Sequence, residues 1–126
     1  MNGVDKMSLN QILIEKMHDA IFSGDSEYLS NHLSADVHLE IFGWISTQGI
    51  NEVLVVLDTL KAIRTNDFSR DNLITHGLHA AMNGIYILLA EDGTTSTFAY
   101  SMFLKLDKFK NGKISRIKLY LVPLSE

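Results

Sequence analysis

Three dipeptides, Asn83-Gly84, Asp92-Gly93 and Asn111-Gly112, each lie between runs of β-branched, aromatic and aliphatic residues. A type I′ turn needs positive φ at both central residues, which Asn-Gly and Asp-Gly tolerate, so each dipeptide predicts a hairpin. Three hairpins in series predict four antiparallel strands, roughly Leu73 to Met82, Ile85 to Glu91, Thr95 to Lys108 and Lys113 to Val122. A meander of that length is expected to curl. In its third strand Phe98, Tyr100, Met102, Leu104 and Leu106 form one side, and the other side, Ala99, Ser101 and Phe103, is hardly more polar. A strand that is apolar on both faces needs cover on both.

Helical patterns fill the first half of the chain. Ser8-Leu9-Asn10-Gln11 has the form of a capping box and predicts a helix from near Leu9. Leu9, Leu13, Met17, Ala20 and Ile21 recur at helical spacing along it, and Gly24 supplies the stop. Asp25 can cap a shorter second helix through about His32, with Tyr28, Leu29 and Leu33 on its buried side. Val37 to Phe42 alternates as a strand, with Val37, Leu39 and Ile41 inward and His38, Glu40 and Phe42 outward. After Gly43-Trp44 a short strand or loop runs through Thr47 to Gly49. Ile50 to Ile63 carries Ile50, Val53, Leu54, Leu57, Leu60 and Ile63 at helical spacing, and Arg64 to Asp71 reads as a polar loop anchored by Phe68. Helices early and strands late make an α+β pattern, with helices on one face of a curved antiparallel sheet. Those helices cover one face only, so the outer face points to a partner subunit, the alternative being a few tolerated exposed apolar side chains.

A chain of 126 residues, 46% hydrophobic and 21% charged, is expected to form one domain spanning residues 1–126 with a single core. The net charge of −4, with 11 Lys and Arg against 15 acids, lacks the clustered basic footprint that phosphate binding needs, so no nucleic-acid partner is expected. The absence of cysteine excludes disulfides, thiol nucleophiles and cysteine metal sites. No apolar run is long enough for a membrane span, and residues 1–8 lack a signal-peptide pattern, so a cytoplasmic protein without a membrane partner is expected. Walker, dinucleotide and Gly-x-Ser-x-Gly motifs are missing. No cofactor is expected.

Landmarks along most of the chain carry a family resemblance. They are Ser23-Gly24-Asp25 ending the first helix, Leu33-Ser34-Ala35-Asp36-Val37 entering a strand, Gly49 before the third helix, and Phe98 to Leu106 followed by Lys113-Ile114. In that order and spacing the chain resembles the nuclear transport factor 2-like superfamily, which includes SnoaL-type polyketide cyclases and ketosteroid isomerase. The resemblance implies an α+β cone in which the sheet wraps around the N-terminal helix, with two further helices. It also implies an apolar cavity open at one end, a small apolar or aromatic ligand, and a homodimer through the outer sheet face. Ketosteroid isomerase chemistry needs a carboxylate base and an oxyanion hole of a Tyr and a protonated Asp. By position the Tyr place holds Met17, the base place Ile41 and the second acid's place Ser101, so that activity is not expected. If the chain is an enzyme, cofactor-independent isomerisation, cyclisation or dehydration is the class implied. The alternative is a non-catalytic binding or interaction module.

Six residues are singled out as candidates. His76, on a stripe with Ile74, Leu78, Ala80 and Met82, could face the cavity as a general base, or be a hydrogen-bonded core histidine. Ser101 could donate to a ligand carbonyl, or simply leave room. Met17, Ile41, Trp44 and Phe103 are the expected ligand-lining residues, Trp44 beside Gly43 at the mouth of the cone. His79 is expected on the opposite face from His76, so that the two cannot share a metal. His38 and Glu40, about 7 Å apart on one strand face, are expected to point away from the cone. Glu15-x-x-His18 has the spacing of a helical metal pair but no further ligands, and no metal is expected.

Overall fold

The computed structural model describes residues 3–61 and 64–124, with side chains described over 9–59 and 67–124. Helix α1 (Gly3–Ser23) starts well before Leu9. Ser8 and Gln11 therefore lie in the helix interior, where amides bond four residues back and a capping box has nothing to satisfy. Ile14, Met17, His18, Ala20, Ile21 and Phe22 are its buried residues, whereas Leu9 is 73% exposed. Gly24, at φ 80, takes the left-handed conformation that ends the helix, and its N–H donates to the Ala20 carbonyl. Asp25 then caps α2 (Ser26–His32), its carboxylate accepting from the Tyr28 N–H at 3.1 Å.

Strand β1 (Leu33–Ile41) buries Val37, Leu39 and Ile41 and turns His38 and Glu40 outward, as its alternation predicts. It ends before Phe42. Gly43, at φ 84, opens a tight turn, and β2 (Ile45–Gln48) runs back antiparallel to β1. Helix α3 (Ile50–Lys61) buries Val53 and Leu57. Leu60 and Ile63 of its expected stripe lie outside the described side chains. The segment read as a polar loop forms strand β3 (Arg64–Phe68), an edge strand on β5. A segment polar in sequence is compatible with an edge strand, because one of its sides pairs with no further strand.

The remaining strands are β4 (Asn72–His76), β5 (His79–Leu89), β6 (Thr95–Leu106) and β7 (Ile114–Pro123). Two of the three expected hairpins are present. Gly93 at φ 87 sits in the β5–β6 turn and Asn111 at φ 54 in the β6–β7 loop. Asn83-Gly84 is not a turn. It lies inside β5, and the chain reverses instead at Gly77-Leu78, with Gly77 at φ 62 in the first central position. Gly84 serves close approach: a Cβ there would lie 2.1 Å from the Ser69 carbonyl oxygen. That notch decides the geometry of the site below.

The seven strands form one mixed sheet in the order β2-β1-β7-β6-β5-β3, with β4 also on β5. All pairs are antiparallel except β1 with β7, so the expectation of a wholly antiparallel sheet is corrected at one seam. The curved sheet closes on α1 as an open α+β cone. Met17, Leu39, Met102, Leu104 and Ile117 are at most 1% exposed between them. Truncating one such side chain to alanine costs about 2–5 kcal/mol.

Candidate functional site

Glu15, His18, Asp19 and Phe22 recur at i, i+3, i+4 and i+7 and so share one face of α1. That face meets the notch at Gly84. With no Cβ at Gly84, the loop Ser69–Asp71 dips into the sheet: the Ser69 N–H donates to the Ile85 carbonyl and the Asp71 N–H to the Asn83 carbonyl. The Ser69 carbonyl thus points inward, toward Tyr100, the register partner of Gly84. Tyr100 Oη donates to it at 2.6 Å.

His18 completes the network. Its Nε2 lies 2.5 Å from Tyr100 Oη. A phenol has one proton and a carbonyl can only accept, so the Tyr100 proton goes to Ser69 and His18 Nε2 must carry the hydrogen of the second bond. His18 Nδ1 faces Arg70 Nη1 at 3.0 Å, and the same Nη1 donates to Asp19 Oδ1 at 2.8 Å. Arg70 also lies 3.6 Å from Glu15. Burial pushes the His18 pKa down against the opposing pull of Asp19, and the Arg70 charge pushes it further the same way. His18 Nδ1 also lies 2.8 Å from Asp19 Oδ1, so the imidazole, the carboxylate and the guanidinium meet at one point. Burial likewise raises the Tyr100 pKa, which keeps the phenol protonated.

Around this network the rings of Phe22, Phe68 and Tyr100 stand 5.1, 5.6 and 5.5 Å from the His18 ring. Phe22 stacks on Tyr86 at 4.6 Å on its other side. Beyond Phe22 and Tyr86 opens an apolar slot lined also by Trp44, Leu88, Phe98 and Leu121. No carboxylate, histidine or lysine lines it, and its free volume is about 20 Å³, little more than one water needs. The expected open cavity is therefore nearly filled by its own aromatic walls.

The six candidates are dispersed. Trp44 lines the slot and is 57% exposed; Met17 and Ile41 are packed in the core. Ser101 is exposed on the outer sheet face, as neighbour of Asn83 and Tyr120, and Phe103 is on that face stacked on His79 at 5.4 Å. The strand period puts Tyr100, not Ser101, inside. His76 does not reach the cavity: it is exposed at the end of the β4–β5 hairpin, because the chain turns one residue after it. Directly paired residues share a sheet face, so His76 and His79 lie on the same side, which corrects their expected separation. Among the described residues no group of three His, Asp or Glu is placed to hold a metal. The network residues that sequence reasoning passed over are Arg70, Tyr100 and His18, the last weighed only as a metal partner of Glu15. The available signal was His18 between Met17 and Ile21 on a stripe otherwise apolar.

No protein-family model and no curated protein matches the sequence. The fold has solved counterparts. An NTF2-like protein of unknown function from Burkholderia pseudomallei superposes with a TM-score of 0.74 at 16% identity, over 89% of this chain and 89% of that one. A Catenulispora acidiphila protein with a ketosteroid isomerase-like fold gives 0.73 at 12%, over 87% and 85%. An LEH-like epoxide hydrolase from M. tuberculosis gives 0.72 at 14%, over 86% and 75%. At these identities the likeness is one of fold.

Proposed function

We propose that this chain, which has the nuclear transport factor 2-like fold, is a small-molecule-binding protein that holds a small, flat apolar or aromatic ligand in the slot beside Trp44. The observation that carries the reading is the lining itself: aromatic and aliphatic side chains at the open end of a cone, with no ionisable acid or base among His, Asp, Glu and Lys. A ligand larger than a water must displace a wall, and Trp44, on the turn at Gly43, is the most exposed part of the wall. The Catenulispora acidiphila neighbour is described in complex with trimethylamine, which supports small-ligand binding on this scaffold.

Binding without turnover is favoured over proton-transfer catalysis. A general base must reach the proton it removes, and His18 and Tyr100 each spend their polar atoms on one another, Arg70 and Ser69. Phe22 lines the slot and touches both, while neither of them lines it. The network's role is to lock α1 to the sheet beneath the ligand. A homodimer through the outer face of β5, β6 and β7 is part of the same reading, supported by half-buried Ile85, Ile87, Ala99 and Phe103 and by exposed Tyr120 and Val122. Among the described residues no helix is long and apolar enough to cross a membrane.

Native mass spectrometry of the purified protein, before and after denaturing extraction, tests the binding reading. A small apolar compound released in stoichiometric amount is the expected result. A protein that emerges empty, and that also fails to take up toluene, would overturn it.

A further inference from the structure

A second concavity, of about 600 Å³, lies between the first half of α1, helix α2 and the β6–β7 loop. Its volume is within the span of about 300–1,000 Å³ usual for small-molecule sites. It is independent of the slot: Leu9 and Phe22 are thirteen residues apart along α1, or about 20 Å at the helical rise.

Three large apolar side chains stand exposed around it, Leu9 at 73%, Ile12 at 47% and Phe109 at 62%. Scattered exposed apolar residues are ordinary, but three around one groove are not. The wall that carries Phe109 is held in place. Asn10 Nδ2 donates to the Phe109 carbonyl at 3.3 Å, and the loop is closed by Asp107 N–H to the Lys113 carbonyl and by Lys113 N–H to the Asp107 carboxylate, both at 2.9 Å. Asn111 takes positive φ, and a Cβ on Gly112 would lie 2.0 Å from the Lys108 carbonyl oxygen, so the loop folds closely on itself.

The charged lining is of one sign. Lys16 and Lys110 border the groove and no Asp or Glu does, in a chain of net charge −4. His32 Nδ1 donates to the Tyr28 carbonyl at 2.9 Å, since a carbonyl only accepts, which holds the ring in the groove wall. Along α1 the lining runs Leu9, then Ile12 and Leu13, then Lys16, one helical face over about 10 Å that passes from apolar to cationic toward α2.

We infer that this groove binds a single-chain amphiphile with a carboxylate head, its tail along Leu9, Leu13 and Phe109 and its head at Lys16 and Lys110. The complementarity is that of an acid tail-bearing ligand, not of a cationic or neutral one.

Isothermal titration with monomeric decanoate, and with decyltrimethylammonium as a tail-matched cation, tests the inference. Saturable decanoate binding, at least tenfold tighter than the cation, is expected. Lys16→Gln combined with Lys110→Gln should weaken decanoate at least fivefold with unchanged thermal unfolding, and Leu121→Asp, in the distant slot, should leave it unaltered. Equal binding of the two amphiphiles, no saturable decanoate binding, or loss of binding in Leu121→Asp alone would overturn the assignment. So would binding to phosphatidylglycerol vesicles with none to monomeric decanoate.

Discussion

Tyr100 Oη accepts a hydrogen bond from His18 Nε2 and donates one to the Ser69 carbonyl, so a single hydroxyl joins α1, β6 and the loop after β3. Removing that hydroxyl strands a buried donor on His18 and a carbonyl on Ser69. Leaving such a group unsatisfied costs about 1–3 kcal/mol. Tyr100→Phe should therefore lower the free energy of urea unfolding by about 2 kcal/mol or more, while Tyr120→Phe on the exposed sheet face should stay within about 0.5 kcal/mol. Equal effects would remove the network from the list of what stabilises the fold.

His18 is also expected to make stability depend on pH. Its folded-state pKa is lowered, chiefly by burial, so the unfolded chain binds a proton more readily. The stability that neutral His18 provides is complete above its unfolded pKa, about 6.5, and is lost as pH falls toward the lowered folded value. Urea unfolding of the wild type at pH 7.5 and pH 5.5 should show a loss at the lower pH that His18→Gln shows less strongly. A variant with the same pH slope as the wild type would mean that other groups carry it.

Gly84→Ala probes the notch. Its Cβ would sit 2.1 Å from the Ser69 oxygen and 3.0 Å from the Tyr100 ring, so the loop must be expelled and Tyr100 loses its acceptor. A loss of about 3 kcal/mol or more is expected, the size reserved for overpacking combined with a broken network. Gly77→Ala meets no atom and faces only a positive φ, so about 1 kcal/mol is expected. Denaturation midpoints of the two variants rank them directly.

The outer sheet face predicts the assembly. In the proposed homodimer, Phe103→Glu together with Val122→Glu places charges on the pairing face, and sedimentation is expected to shift from dimer to monomer. A wild-type protein that sediments as a monomer at 100-fold dilution and at stock concentration alike would refute the dimer.

Much of the architecture was readable from residue order. Asp25 capping α2, the inward alternation of Val37, Leu39 and Ile41, and the turns at Gly93 and Asn111 all follow from local chemistry that tertiary contacts leave intact. Asn83-Gly84 misled because glycine serves two needs, positive φ and close approach, and only the position of Ser69 tells which one operates. That one error displaced the β4–β5 turn, and with it His76 from the cavity to the hairpin end. The Ser101 assignment failed by a single residue of register, which in a strand exchanges inside for outside. Arg70 could not be placed because its partners His18 and Asp19 are 52 and 51 residues away in the chain.

Trp44 is the one tryptophan, and it borders the slot, so its emission responds to occupancy there. Titration with toluene, excited where only tryptophan absorbs, is the most direct test of small-molecule binding. At roughly 0.7 kcal/mol per carbon, a Kd on the order of 0.1–1 mM is expected, with a saturable change in emission, reduced acrylamide quenching, and at least tenfold weaker binding in Leu121→Asp. Emission that stays flat up to the solubility limit of toluene, in protein that is folded by circular dichroism, would contradict the proposed function.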